Sequence, residues 1–383
     1  MFALYSPVGG DTILRCEKMT EHTKETVFNE RVRRYAEILN PLFDPTVDMR
    51  VDRLFEFACV LVRAGGIQTG GWDPWYESQA TLRDLANLAT IDLPSDLFPN
   101  PDRTRMRLSL IQYCHITEMD LPYELVANLL RLRLGKKYDI DPFSHLARYI
   151  GKKQEGPFRR VKRPSPRMKL GHIVELSEAA RMSEVGIAFQ SIHDGVIRNA
   201  VYHSDYTLAD GEFRLSKDFR RPNAKRYSSQ VVSFKELDDL LMGAFAFYTA
   251  LFSLYERCRK SFFDFEDVLV PYDPHYKALL QFVFDSEHRL VGFRTYWPNQ
   301  SLGEFCRTER GCSGVNLFFN SDGSINFMVG LYASKPGDFS PLVEHDAQPA
   351  YTVIPGTSVR PYWPEPLAAY KLPRADQGQG AAT

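Results

Sequence analysis

The stretch Ser233–Lys260, SFKELDDLLMGAFAFYTALFSLYERCRK, reads as one long helix. Its opening has the spacing of a capping box: Ser233 is followed three residues later by Glu236, so that each side chain satisfies the other residue's backbone N–H. Toward the N-terminus, apolar residues recur at helical spacing in segment after segment. KETVFNERVRRYAEILNPLF (24–43) places Val27, Val32, Tyr35 and Leu39 on one face before Pro41 stops it. VDRLFEFACVLVRAGG (51–66) is nearly all apolar and ends on Gly65 and Gly66, and ESQATLRDLANLA (77–89) is a third helix. RMRLSLIQYCHITEM (105–119) and PYELVANLLRLRLG (122–135) are adjacent helices, the second with Pro122 in its first turn, where a missing N–H is harmless. DPFSHLARYI (141–150) reads as a short helix, and a further helix ends in GVIRNAVYHSDYTL (195–208). Helices in this number and of this length imply a packed bundle.

Beyond Phe263 the period changes. LLQFVFDSEHRLVGFRTYW (279–297) and GVNLFFNSDGSINFMVGLY (314–332) each hold two β-type runs around a polar turn, and the Asp-Gly of NSDGS is a hairpin signal. The expected class is therefore mainly α, with a small β-hairpin-containing (α+β) C-terminal domain. LPSDLFPNPDR (93–103) is rich in Pro and turn formers and marks a boundary near residue 102. The expected organisation is a helical N-terminal region over 1–102, a helical bundle over 103–262, a small β-containing domain over 263–345, and a Pro-rich, partly disordered tail over 346–383.

Composition bounds the function. A chain of 383 residues is too long for one core, and 44% hydrophobic with 13% aromatic residues describes a globular protein. Its net charge of −1 means that the whole chain is no electrostatic ligand for nucleic acid, so any basic surface must be local. No apolar run is long enough to span a membrane, and MFALYSPVGG lacks the order of a signal peptide, so a soluble, cytoplasmic protein without membrane contact is expected. Of the six cysteines, Cys59, Cys114 and Cys258 lie in apolar helical patterns, where buried thiols are the rule. Cys306 and Cys312 are close in CRTERGC but have no second Cys or His pair at zinc spacing, so neither metal nor cofactor is expected.

GVIRNAVYHSDYTL holds Arg198, Asn199 and His203. Spacing alone decides nothing, because RMKLGH repeats it between Arg167 and His172. On a straight helix Val185, Phe189, Ile192 and Val196 form one stripe, continued by Asn199 and His203, whereas Arg198 points about 140° away from His203. Two readings follow. Either His203 is a satisfied histidine on a buried face and Arg198 is solvated or salt-bridged, or the two meet through local unwinding or across a twofold axis. Charge favours the second. From Arg148 to Lys169 there are nine Lys or Arg against one acid, and from Arg214 to Arg226 six against one. Such flanks supply phosphate affinity independent of base sequence, and Arg159, Arg160, Lys162, Arg163, Arg220 and Arg221 are the expected RNA contacts.

IRNAVYHSDYTL resembles the Arg-Asn-x3-His signature of the HEPN superfamily, the helical bundles of bacterial RNase toxins and defence proteins. The similarity extends over roughly residues 104 to 262, through LVANLLRLRLGKKYDIDPF upstream and the helix from Ser233 downstream. The resemblance implies a metal-independent, composite site in a homodimer, with Arg198, Asn199 and His203 as catalytic residues and no cofactor. It implies cleavage of single-stranded RNA through the ribose 2′-hydroxyl, in a toxin or anti-phage effector, with a protein regulator or antitoxin as a further candidate partner. One departure stands out: Tyr202 is bulky where a small residue often precedes the histidine. The chemistry is sound for these side chains, since an imidazole exchanges protons near neutral pH and a guanidinium forks onto phosphate. The alternatives are a catalytically inactive HEPN module that binds RNA or a protein partner, and a helical scaffold whose Arg and His only finish a helix.

Overall fold

Helix α9 (Phe234–Ser261) realises the long helix, and its capping box forms in full. Glu236 N donates to Ser233 Oγ at 3.2 Å, while Ser233 N and Oγ donate to Glu236 Oε2 at 2.9 and 2.8 Å. These bonds, the backbone one foremost, hold the Glu236 carboxyl below its ordinary value. By length and composition α9 is apolar enough to cross a membrane, yet 78% of its apolar window is buried, which makes it a core helix.

The structure, a computed structural model, describes residues 21–44, 51–64, 74–91, 93–94, 96–150, 160–209, 211–215, 231–266, 268–271, 279–296, 302–308, 311–315 and 370–371. Among them the helices are α1 (Glu21–Leu39), α2 (Val51–Val62), α3 (Pro74–Thr90), α4 (Pro101–Glu118), α5 (Asp120–Arg133), α6 (Pro166–Ala179), α7 (Ser183–Ser191), α8 (Gly195–Tyr202) and α9. The strands are β1 (Arg148–Ile150), β2 (Arg160–Lys162), β3 (Tyr206–Ala209), β4 (Glu212–Leu215), β5 (Val231–Ser233), β6 (Val268–Pro271), β7 (Leu279–Phe284), β8 (Leu290–Tyr296), β9 (Leu302–Thr308), β10 (Gly311–Val315) and β11 (Tyr370–Lys371). The protein is mainly α with antiparallel sheets. It divides into two compact units, the first made of Met1–Phe43, Pro74–Leu134 and Pro142–Leu254, the second of Asp44–Asp73, Gly135–Asp141 and Tyr255–Thr383.

The first unit packs around aromatic rings. Tyr113, Tyr123, Phe189, Phe247 and Tyr248 are all essentially inaccessible to solvent. Phe189 stacks on Tyr123 with centroids 4.9 Å apart and meets Phe247 at 4.9 Å. α6 and α7 form a tight helical pair. A Cβ at Gly186 would sit 2.3 Å from Ser177 Oγ, so only glycine lets the two helices approach this closely. β3, β4 and β5 make a three-stranded antiparallel sheet that buries Phe213 and Val232. The sequence pattern predicts a short helix over 141–150, but the chain makes only a 3-10 turn, Ser144–Leu146, and then β1. Tyr149 and Ile150 are strand formers, and their ladder partners, Val161 and Arg160, lie outside any local window.

In the second unit β6–β11 form one antiparallel sheet in the order β10-β9-β8-β7-β6-β11. The expected hairpin of 279–297 is present as β7 and β8, and Asp285 closes its turn by accepting from Glu287 N and Arg289 N. The run expected as a second hairpin, 314–332, is described only through Val315, where it ends β10 paired to β9; the remainder lies outside the described residues. α2 packs on β8 through Phe55 and Phe293, centroids 4.8 Å apart. Gly292 of β8 permits the contact with β9, because a Cβ there would lie 2.1 Å from the Phe305 carbonyl oxygen.

The sequence places the end of α2 on Gly65 and Gly66, which lie outside the described residues. The helix ends earlier, on Arg63 with φ 49° and a bond from Ala64 N to Cys59 O at 2.9 Å. Its terminal carbonyls are met by partners distant in sequence. Tyr255 Oη donates to Leu61 O at 2.6 Å, and the buried Arg307 donates to Val62 O at 2.8 Å and to Arg63 O at 2.7 Å. A cation at a helix C-terminus complements the partial negative charge there.

Candidate functional site

The motif sits on α8, and α8 is a separate helix. The sequence stripe of Val185, Phe189, Ile192 and Val196 assumes a helix that runs through, but the chain breaks between Ser191 and Gly195. Two groups make the break. The Asp194 side chain caps α8, its Oδ1 accepting from Val196 N at 2.8 Å and Ile197 N at 3.0 Å. The buried Tyr113 hydroxyl of α4 accepts from Asp194 N at 2.7 Å and donates to Ile192 O at 3.1 Å, satisfying one N–H and one carbonyl of the break. As a result Ile197 and Ala200, not Val196, carry the buried face of α8 against α4.

Arg198 lies on the side of α8 that meets α4. Its Nη2 forms an ion pair with Glu118 Oε1, and its Nη1 donates to Asn199 Oδ1 at 2.7 Å. The guanidinium carbon stands 5.5 Å from the ring centroid of Tyr202, while the buried Nε has no hydrogen-bond partner. Beneath it Cys114 Sγ donates to Arg198 O at 3.8 Å. Burial pushes the Cys114 thiol up to about 12, with Arg198 opposing, so this thiol stays protonated and inert. Tyr202 is 53% exposed, and the burial of the rest of its ring raises its hydroxyl's pKa.

His203 ends α8 as its C-cap, with φ −92° and ψ 2°, and its N–H donates to Asn199 O at 3.0 Å. Ser204 takes the left-handed conformation at φ 57°, and Asp205 N closes the turn onto Ala200 O at 2.8 Å. The imidazole is exposed and makes no hydrogen bond or ion pair to a described residue. The exposure of His203 goes against a histidine satisfied on a buried face, whereas the ion pair of Arg198 with Glu118 is the salt-bridged arginine of that same alternative. Within the chain Arg198 and His203 share no hydrogen bond or ion pair. The one group is held against α4, the other faces solvent.

The basic flanks are only partly on view. Lys162 and Arg163 are exposed, Arg160 lies in β2, and Arg159, Arg220 and Arg221 fall outside the described residues. Two cations of the flanks are neutralised locally. Lys169 is buried, paired with Asp120 and 5.8 Å from the ring centroids of both Tyr123 and Phe143, and Arg214 Nε meets Glu212 Oε2 at 3.0 Å. Directly after the motif, β3 and β4 form a hairpin in which Tyr206 stacks on Phe213 at 4.9 Å. Among the described residues no group of three or more His, Cys, Asp or Glu is placed to hold a metal ion.

Sequence reasoning missed Glu118, Tyr113 and Asp194. Asp194 had a legible signal, a capping residue beside Gly195. The hairpin had one too, the Asp-Gly pair at 210–211, where Gly211 takes φ 77°. Glu118 and Tyr113 had none, since each acts about 80 residues away in sequence. Set against known protein families, curated proteins and solved structures, the chain matches none.

Proposed function

We propose that this chain is a metal-independent endoribonuclease of HEPN type that cuts single-stranded RNA as a homodimer. The observation that carries the reading is His203: an exposed imidazole with no partner among the described residues, at the end of a short helix that also holds Arg198 and Asn199. In the proposed reaction the imidazole takes the proton of a ribose 2′-hydroxyl, and the oxygen attacks the adjacent phosphorus. The 5′-oxygen leaves with a proton and a 2′,3′-cyclic phosphate remains. Each such proton transfer contributes about 10²–10⁴ in rate. Arg198 faces the phosphate charge that grows in the transition state, and Asn199 orients the guanidinium through its Oδ1. Because Arg198 and His203 point apart on α8, the working site combines the motifs of two copies. Lys162 and Arg163 extend it with sequence-independent phosphate contacts. A cytoplasmic toxin or anti-phage effector, with a protein regulator, is the setting the HEPN resemblance suggests.

Purified protein should cut single-stranded RNA in EDTA, leaving cyclic phosphate ends, and His203→Ala should abolish cutting while the fold and dimer persist. Equal cutting by the variant would sink the assignment. The ion pair of Arg198 with Glu118 favours a second reading, a catalytically silent module that binds RNA or a protein partner. That module would show salt-dependent RNA affinity and no products.

A further inference from the structure

Glu118 closes α4, and its carboxylate occupies Arg198, the one cation of the motif. Three features set this contact apart from a simple strut between two helices. First, the pair lies at the border with solvent: 24% of the Arg198 side chain and 33% of the Glu118 side chain are accessible, while the paired Glu118 Oε1 itself is buried and must move to admit an outside anion. Second, the rest of the fork is only half used: Nη1 donates to Asn199, and Nε is buried with no acceptor. Third, the guanidinium is kept in place without Glu118, because Tyr202 lies against it and Asn199 bonds it. A guanidinium offers five N–H donors and no acceptor, and its preferred ligands are the paired oxygens of carboxylate or phosphate.

We propose that Glu118 is a built-in competitor for phosphate: it holds the anion-binding edge of Arg198 closed, and a phosphodiester must displace it to engage the arginine. The proposal rests on the reading of Arg198 as a phosphate-binding residue and adds its regulation. Displacement exchanges one monoanion for another, since a phosphodiester, like a carboxylate, spreads a single negative charge over two oxygens. A lone phosphodiester therefore has no electrostatic advantage over Glu118 and leaves the pair shut, whereas a run of phosphates held by the basic flank opens it through local concentration. This makes engagement steeply dependent on the length of single-stranded RNA.

The test is Glu118→Gln in the full chain. The amide keeps the size of the side chain and an acceptor oxygen for Nη2 but loses the charge. Two probes are used: inorganic phosphate, followed by the NMR signal of the Arg198 Nε–H, assigned with Arg198→Lys, and a labelled oligouridine, followed by fluorescence anisotropy and by product formation. The expected result is a roughly two- to fivefold lower phosphate midpoint in Glu118→Gln, the size expected of a partly exposed ion pair, with no such gain when Arg198→Lys is also present. Oligouridine should bind more tightly by a similar factor. An unchanged or higher phosphate midpoint together with a lowered Tm makes Glu118 a strut and overturns the proposal, even if wild-type protein cuts RNA. A lowered phosphate midpoint in a protein that neither binds nor cuts oligouridine leaves the competitor role standing and removes the ribonuclease reading instead.

Discussion

The chain holds the same Arg-x4-His spacing twice, and the two copies have opposite fates. Arg167–His172 lies inside α6. There His172 is mostly covered, its ring 4.4 Å from that of His145 and 6.0 Å from that of Phe143, with Glu175 Oε2 at 3.5 Å from Nδ1. Burial above all, then the His145 ring, lowers its pKa, while Glu175 pulls it back up. Arg167 is exposed. In the second copy the exposures are exchanged: Arg198 is tied to α4 and His203 is free in solvent. The difference comes from place, not spacing. Mid-helix, i and i+5 point apart and the neighbours decide which one is buried; at a helix end, the left-handed turn at Ser204 leaves the histidine on the surface.

The largest effect that would break this contrast is on cutting. His203→Ala should lower it by about 10²–10⁴ at unchanged Tm, whereas His172→Ala should lower Tm and leave the rate per folded molecule intact. Equal losses in both variants would show that the two copies act alike. Tyr113→Phe removes the hydroxyl that serves Ile192 O and Asp194 N, and unfolding in urea should become easier by about 1–3 kcal/mol. If stability does not change, Asp194 alone separates α7 from α8.

A smaller effect concerns pH. The folded pKa of His172 lies below the ordinary 6.5, so below pH 6.5 the unfolded chain binds the proton first. The contribution of neutral His172 is complete above pH 6.5 and is lost as pH falls toward the folded value. A Tm measured across this window should fall on acidification in the wild type and less so in His172→Asn. A steeper fall in the variant would contradict the burial seen for this ring. Smallest of all, Gly243→Ala adds a Cβ whose nearest neighbours, Tyr35 Oη and Arg31 Nη1, lie at ordinary contact distances of 3.7 and 3.9 Å. It should stabilise α9 by about 0.5–1 kcal/mol in thermal unfolding and touch neither copy of the motif.

Much of the secondary structure was legible because it is local. The capping box of α9 and the β7–β8 hairpin are each written within a few residues. The misreadings share a cause. The strand at 148–150 takes its ladder from 160–162, the end of α2 takes its caps from Tyr255 and Arg307, and the break before α8 takes its hydroxyl from Tyr113. A periodicity window sees none of these partners.

By itself the sequence determined that the chain is mainly helical with a β-containing C-terminal part, and that Arg198, Asn199 and His203 share one helical segment. Helix period, caps and turn residues act over a few positions, so local order suffices to specify them. Only the tertiary structure decided that His203 faces solvent, that Arg198 is held by Glu118, and that Lys169 of the basic run is buried on Asp120. Charge pairing and burial depend on which distant segments pack together, and a carboxylate 80 residues away in sequence carries no local sign of the arginine that it neutralises.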